Sequence, residues 1–136
     1  MNYTAKTTYT GGLRTNAVHL KSNTKIVTDA PVDNQGKGES FSPTDLVATA
    51  LGSCMLTIMG IKARDKDIDM EGATVEVLKT MASNPRRIAR LDIKITMPDK
   101  PFSDRDKKIL EQSAKACPVG NSLHPDVEVV ADIIWA

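Results

Sequence analysis

Ser42-Pro43-Thr44-Asp45-Leu46-Val47-Ala48-Thr49-Ala50-Leu51-Gly52-Ser53-Cys54-Met55 is where this chain changes its period. Upstream of it apolar and polar residues alternate; from here apolar residues return every three or four positions, as in a helix that buries one face. Ser42 and Asp45 form a Ser-x-x-Asp capping signal, and Pro43 suits the first helical turn because its missing N–H would be unpaired there anyway. Val47, Leu51, Cys54, Ile58 and Ile61 share one stripe, so Cys54 is expected to point inward. The small residues Ala48, Ala50, Gly52 and Ser53 allow another backbone to approach near Cys54. Leu46, Met55 and Met59 make the helix apolar on more than one face. Such a helix needs cover on several sides, more than about six strands and two main helices supply, and a homodimer is the expectation.

Working outward, residues 2–10, 13–21 and 24–29 alternate like half-buried strands, separated by Gly11-Gly12 and Ser22-Asn23, which predicts two tight hairpins. Ala30 to Gly38 turns to Pro, Asp, Asn, Gln and Gly and reads as a mobile loop. Strand period returns over 72–81 and 88–98, most clearly where Leu91, Ile93, Ile95 and Met97 alternate with Asp92, Lys94 and Thr96, with Asn84-Pro85 in the turn. A second Ser-x-x-Asp signal, Ser103 to Asp106, opens a helix on which Leu110, Ala114 and Cys117 share a face and which Pro118 is expected to end. Val127, Val129, Ala131, Ile133 and Trp135 alternate in a last strand. The order βββ-α-ββ-α-β, without internal repeats, predicts an α+β fold dominated by antiparallel pairing around a long central helix.

The 136 residues fit a single domain, 1–136, large enough for a hydrophobic core without disulfide staples. No basic leader followed by an apolar core opens the sequence, and no apolar run approaches the roughly 20 residues that span a bilayer, so a soluble cytoplasmic protein without membrane contact is expected. A net charge of +1 from interspersed charges and only five aromatic residues argue against a nucleic-acid partner. In a reducing compartment the two cysteines, Cys54 and Cys117, are more often catalytic, redox-active or metal-binding than structural. The close ligand pairs typical of zinc sites are missing around the two Cys and two His, so neither a metal nor a cofactor is expected.

The order of elements and the settings of the two cysteines resemble the OsmC/Ohr family of thiol-dependent hydroperoxide reductases. The resemblance rests on Ser42-Pro43-Thr44-Asp45-Leu46 through Ala50-Leu51-Gly52-Ser53-Cys54, and on Cys117-Pro118-Val119 with Ser122-Leu123-His124-Pro125. Gly11-Gly12-Leu13-Arg14 and Thr28-Asp29-Ala30-Pro31 add weaker support. It implies an intertwined homodimer with active sites at the subunit interface, reducing organic hydroperoxides in oxidative-stress defence. The first cysteine would be the peroxidatic nucleophile, the second the resolving thiol, and an external dithiol the reductant.

A peroxidatic cysteine must be a thiolate, whereas an ordinary thiol of pKa about 8.5 is only a few per cent ionised at neutral pH. The dipole of its own helix fades within one turn and Cys54 lies about three turns in, so a cation from elsewhere in the fold is required. Cys117, expected at a helix C-terminus, faces the negative dipole end, which suits a resolving thiol. Arg14 is the candidate cation, set one residue further from the glycine pair than the family arginine because Leu13 intervenes. The family glutamate that anchors that arginine is Thr44 here. Glu39 or Asp45 could take its place; Asp45 already has a role as the capping carboxylate, which favours Glu39.

Buried packing is the competing reading of both cysteines. A second functional class is non-enzymatic: an apolar interface cavity, with methionines such as Met55, Met59, Met70, Met81 and Met97 adapting to a small ligand, and cysteine oxidation acting only as a sensor. His19 reads as a strand residue, His124 as either orienting Cys117 or capping the turn before Pro125, and Arg86-Arg87 as a solvated turn or an anion-attracting pair.

Overall fold

The structure, a computed structural model, describes residues 2–136. The chain forms two compact units, Met1–Val47 and Ala48–Ala136. The first contains strands β1 (Ala5–Gly11), β2 (Arg14–His19) and β3 (Thr24–Asp29), a 3-10 turn over Val32–Asn34, and the first turn of helix α1 (Pro43–Asp65). The second contains the rest of α1, strands β4 (Thr74–Ala82) and β5 (Arg87–Thr96), helices α2 (Asp104–Ala114) and α3 (Pro118–Asn121), and strand β6 (Glu128–Ile134). This is the expected α+β order, with one short helix added before the last strand.

In the first unit β1, β2 and β3 form an antiparallel meander. Gly11, Gly12 and Leu13 all have positive φ in the first hairpin turn, a conformation glycine adopts without steric cost and Leu13 adopts against it. β3 matches its expected span while β1 begins later and β2 ends earlier than expected, and the half-buried alternation does not hold for β1, all seven of whose residues are exposed. Burial begins only at the end of β3, with Thr28 and Asp29. The Ala30–Gly38 segment is folded rather than a mobile loop. Asn34 and Gly36 donate to the Pro31 carbonyl and Gly38 to that of Ala30. A Cβ on Gly36 would stand 1.8 Å from the Ala30 oxygen, so only glycine fits there.

In the second unit β4 pairs antiparallel and β6 parallel with the central strand β5. Parallel pairing needs a long crossover, and α2 and α3 supply it. Leu91, Ile93, Ile95 and Met97, the alternation legible in the sequence, are all at most 3% exposed. They pack in one core with Leu51, Met55, Met59, Leu110 and Ala114. Both capping signals form as read. Ser42 and Asp45 exchange reciprocal hydrogen bonds of 3.0 Å, and Ser103 and Asp106 form a full capping box.

The buried stripe of α1 is rotated from the expected one. It runs through Ala48, Leu51, Gly52, Met55, Met59 and Ala63, while Val47 and Ile61 are exposed and Cys54 is half-buried at its margin. The cause is steric. A Cβ on Gly52 would lie 3.0 Å from Val77 Cγ2 and 3.1 Å from Val75 Cγ2, so β4 packs directly on the small-residue face. By length and composition alone α1 is apolar enough to cross a bilayer, contrary to the expectation of no such run. Here it is the core helix, with Leu51 and Met59 fully enclosed by protein.

Gly52→Val forces side-chain atoms into β4, and overpacking of this kind costs about 1–3 kcal/mol. Urea unfolding should show that loss in midpoint with an unchanged slope, and a wild-type midpoint would rule out the close contact.

Candidate functional site

Cys54 and Cys117, far apart in sequence, are brought side by side in the second unit. The two thiols stand near enough to perturb one another, and neither is in a disulfide. Cys54 is held on the third turn of α1. Leu51, one turn before it, approaches α3, lying 3.5 Å from where a Cβ of Gly120 would be.

Cys117 does not sit where the sequence reading put it. α2 ends at Ala114, and Ala116 N–H closes its last turn on the Ser113 carbonyl. Pro118 therefore opens a helix instead of ending one, occupying its first turn as proline prefers, with Cys117 as the N-cap residue. The expected negative dipole end is thus a helix N-terminus. No side-chain capping hydrogen bond forms, but the backbone N–H groups of Val119 and Gly120 favour the Cys117 thiolate. Burial acts against them. With 3% of its surface exposed, Cys117 has its pKa raised, first by desolvation and then by the neighbouring Cys54 thiol. It is a protonated thiol for a different reason from the one expected.

Arg14 and Glu39 lie in the first unit, and the residue that organises them is Asp29, which the sequence reading quoted only within the resemblance and gave no role of its own. Arg14 Nε and Nη2 donate to the two carboxylate oxygens of Asp29 at 2.7 and 2.8 Å, a bidentate pair. Glu39 is secondary. Its carboxylate is 3.6 Å from Arg14 Nη2, and its backbone N–H donates to Asp29 Oδ2 at 3.1 Å. Asp45 is committed to the α1 cap, and Thr44 Oγ1 lies 3.2 Å from Ser42 Oγ. Asp29 is 1% exposed. Its pairing with Arg14 holds its carboxyl below the ordinary range despite burial, and Asp29 in turn raises the Arg14 pKa. A signal for this pair was present: with the hairpin turn at Ser22-Asn23, Arg14 and Asp29 fall directly opposite in the β2–β3 register.

The histidines serve turns. His19 Nδ1 is 2.6 Å from Ser22 Oγ, and exposed His124 accepts the Asp126 N–H at 3.0 Å, so the turn is the role His124 takes. Arg87 donates to the Ser83 and Pro85 carbonyls, bracing the β4–β5 turn. Among the described residues no group of three His, Cys, Asp or Glu side chains is placed to hold a metal ion.

Two measurements probe these environments. The folded protein keeps the Cys117 proton above the ordinary thiol range, so stability falls as pH rises through that range toward the raised value. Cys117→Ser should flatten that slope, and iodoacetamide at about pH 8 should label Cys54 before Cys117. For Asp29 the sign is opposite: its lowered pKa means that the Arg14 pairing stabilises fully above 3.8 and is lost as pH falls through the lowered value. NMR titration should place the Asp29 carboxyl below 3.8, and Arg14→Gln should raise it.

Comparison with known proteins places this geometry. The model of the family described as OsmC-like protein matches residues 36–131. A candidate osmotic stress induced and detoxification response protein from Psychrobacter arcticus is 56% identical, with 98% of this chain and 96% of that chain covered and a TM-score of 0.93. An OsmC-like protein from Mycoplasma pneumoniae shares the fold at 17% identity, covering 100% and 98% of the two chains, with a TM-score of 0.81. An organic hydroperoxide resistance protein OsmC from Legionella pneumophila shares it at 16% identity over 96% and 94%, with a TM-score of 0.75. No curated protein matches. With the α+β order, the paired cysteines and these likenesses together, the chain belongs to the OsmC-like family.

Proposed function

We propose that this protein is a thiol-dependent peroxidase that reduces organic hydroperoxides to alcohols. The observation that carries this reading is the neighbouring pair of free thiols, one half-buried and one buried with a raised pKa. The Cys54 thiolate attacks the terminal peroxide oxygen, the O–O bond breaks, and the alkoxide leaves as alcohol after taking a proton, leaving Cys54 as a sulfenic acid. The Cys117 sulfur then displaces the hydroxyl, which leaves as water with the thiol proton, and a Cys54–Cys117 disulfide forms. An external dithiol restores both thiols and is itself oxidised to a disulfide. Arg14, held by Asp29 and flanked by Glu39, is the proposed cation for the thiolate.

A homodimer belongs to the same proposal. Support comes from surface one chain leaves uncovered: Tyr9 at 63%, Ile26 at 45% and Ile61 at 46% exposure. Action in the cytoplasm and a part in oxidative-stress defence complete the reading, and the hydroperoxide resistance named for the Legionella relative agrees with it.

With excess dithiol, the wild type should turn over cumene hydroperoxide repeatedly; consumption of one equivalent per site would instead mark a binder or sensor. Cys54→Ser abolishes turnover, Cys117→Ser leaves one equivalent of reaction and a sulfenic acid that a dimedone probe traps, and wild-type rates in Cys54→Ser would end the proposal. Arg14→Ala slows turnover by about 10²–10³-fold, the size of losing one preorganised charged donor.

A further inference from the structure

We propose that the groove between the C-terminal end of α1 and the exposed side of α2 binds a small molecule carrying two or more phosphate-type groups. The groove is open to solvent, has a volume of about 530 Å³ and is lined by the exposed Lys62, Lys66, Arg105 and Lys108, with Ile109, Gln112 and Ser113. No carboxylate lines it. Some cations elsewhere in the chain are paired with acids: Arg14 with Asp29, Arg90 with Asp92 and Glu128, Lys94 with Glu76 and Lys100 with Asp69. Among the described residues the four groove cations have no such pairing. Of the nearby acids, Asp106 is held in the Ser103 cap and Glu111 accepts the Trp135 indole N–H, while exposed Asp65 and Asp104 flank Lys66 and Arg105 in sequence.

Helix electrostatics accounts for only half of this cluster. Lys62, in the last turn of α1, and Lys66, just beyond its end, complement its negative dipole end. Arg105 is the second residue of α2, where a cation opposes the positive end, and Lys108 lies one turn on. Each row thus presents two cations one turn apart, a spacing at which like charges repel, although Asp104 lies one turn before Lys108. An anion bridging the two rows removes the repulsion. The volume falls in the range of small-molecule sites and exceeds what a single phosphate fills. Lysines suit phosphate as point charges and Arg105 adds a bidentate fork, while Ile109 and Gln112 offer apolar and hydrogen-bonding contact for the remainder of the ligand.

Pyrophosphate titrated calorimetrically into the full chain should bind saturably at one site per chain and weaken as salt is raised. Lys62→Gln/Lys66→Gln and Arg105→Gln/Lys108→Gln should each weaken binding about tenfold or more, and Lys21→Gln/Lys25→Gln, an equal charge loss on the β2–β3 hairpin, should not. In the unsubstituted protein, pyrophosphate should shield Lys62, Lys66 and Lys108 from acetylation, a readout that needs no variant to fold. No saturation up to about 10 mM, equal weakening by the hairpin variant, or uniform acetylation overturns the proposal. Binding of polyglutamate but not of pyrophosphate also overturns it, in favour of an acidic protein partner.

Discussion

The close contact of α1 with β4 at Gly52 is the constraint on which the second unit depends. A helix can approach a sheet this nearly only where its side chains are small, and here the backbone of α1 comes so close that even one added methyl carbon would press on Val75 and Val77. That contact sets the rotation of α1. Leu51 and Met59 are thereby turned into the core, each a burial worth roughly 1.5–3 kcal/mol, and Cys54 is left at the margin, where it meets Cys117. A deeper Cys54 would be shut off from the peroxide of the proposed cycle, and one turned fully outward could not reach its partner.

Two opposed effects act on Cys117. The amides that open α3 favour its thiolate, while burial favours the protonated thiol and prevails. A protonated neighbour suits the proposed cycle, because the resolving sulfur has to give up a proton when the sulfenic hydroxyl leaves as water. In the proposed cycle the division of labour between the thiols thus follows from burial and not from helix polarity.

In the first unit the organising group is a carboxylate that could not be left alone. Asp29 is almost wholly enclosed, and a buried carboxylate without a partner is costly. Arg14 satisfies it from directly across the ladder, and the closed Ala30–Gly38 segment returns the Glu39 N–H to the same oxygen. The absence of a glutamate at Thr44 therefore leaves Arg14 anchored by a residue of its own sheet.

The sequence by itself determined the order of elements, both helix caps, the buried face of β5 and the two cysteines as the centre of interest. These are local properties: the apolar period and the reach of a capping side chain are set within a few residues. Only the tertiary structure decided which face of α1 is buried, because that depends on what packs at Gly52 and not on the apolar period of the helix. It also decided that Cys117 begins a helix, since Pro118 can follow one helix or open another and only the course of the chain into β6 selects between them. The Arg14–Asp29 pair stands between the two. Its register was legible from the Ser22-Asn23 turn, but its burial, and so its strength as an anchor, came from the segment folded against it.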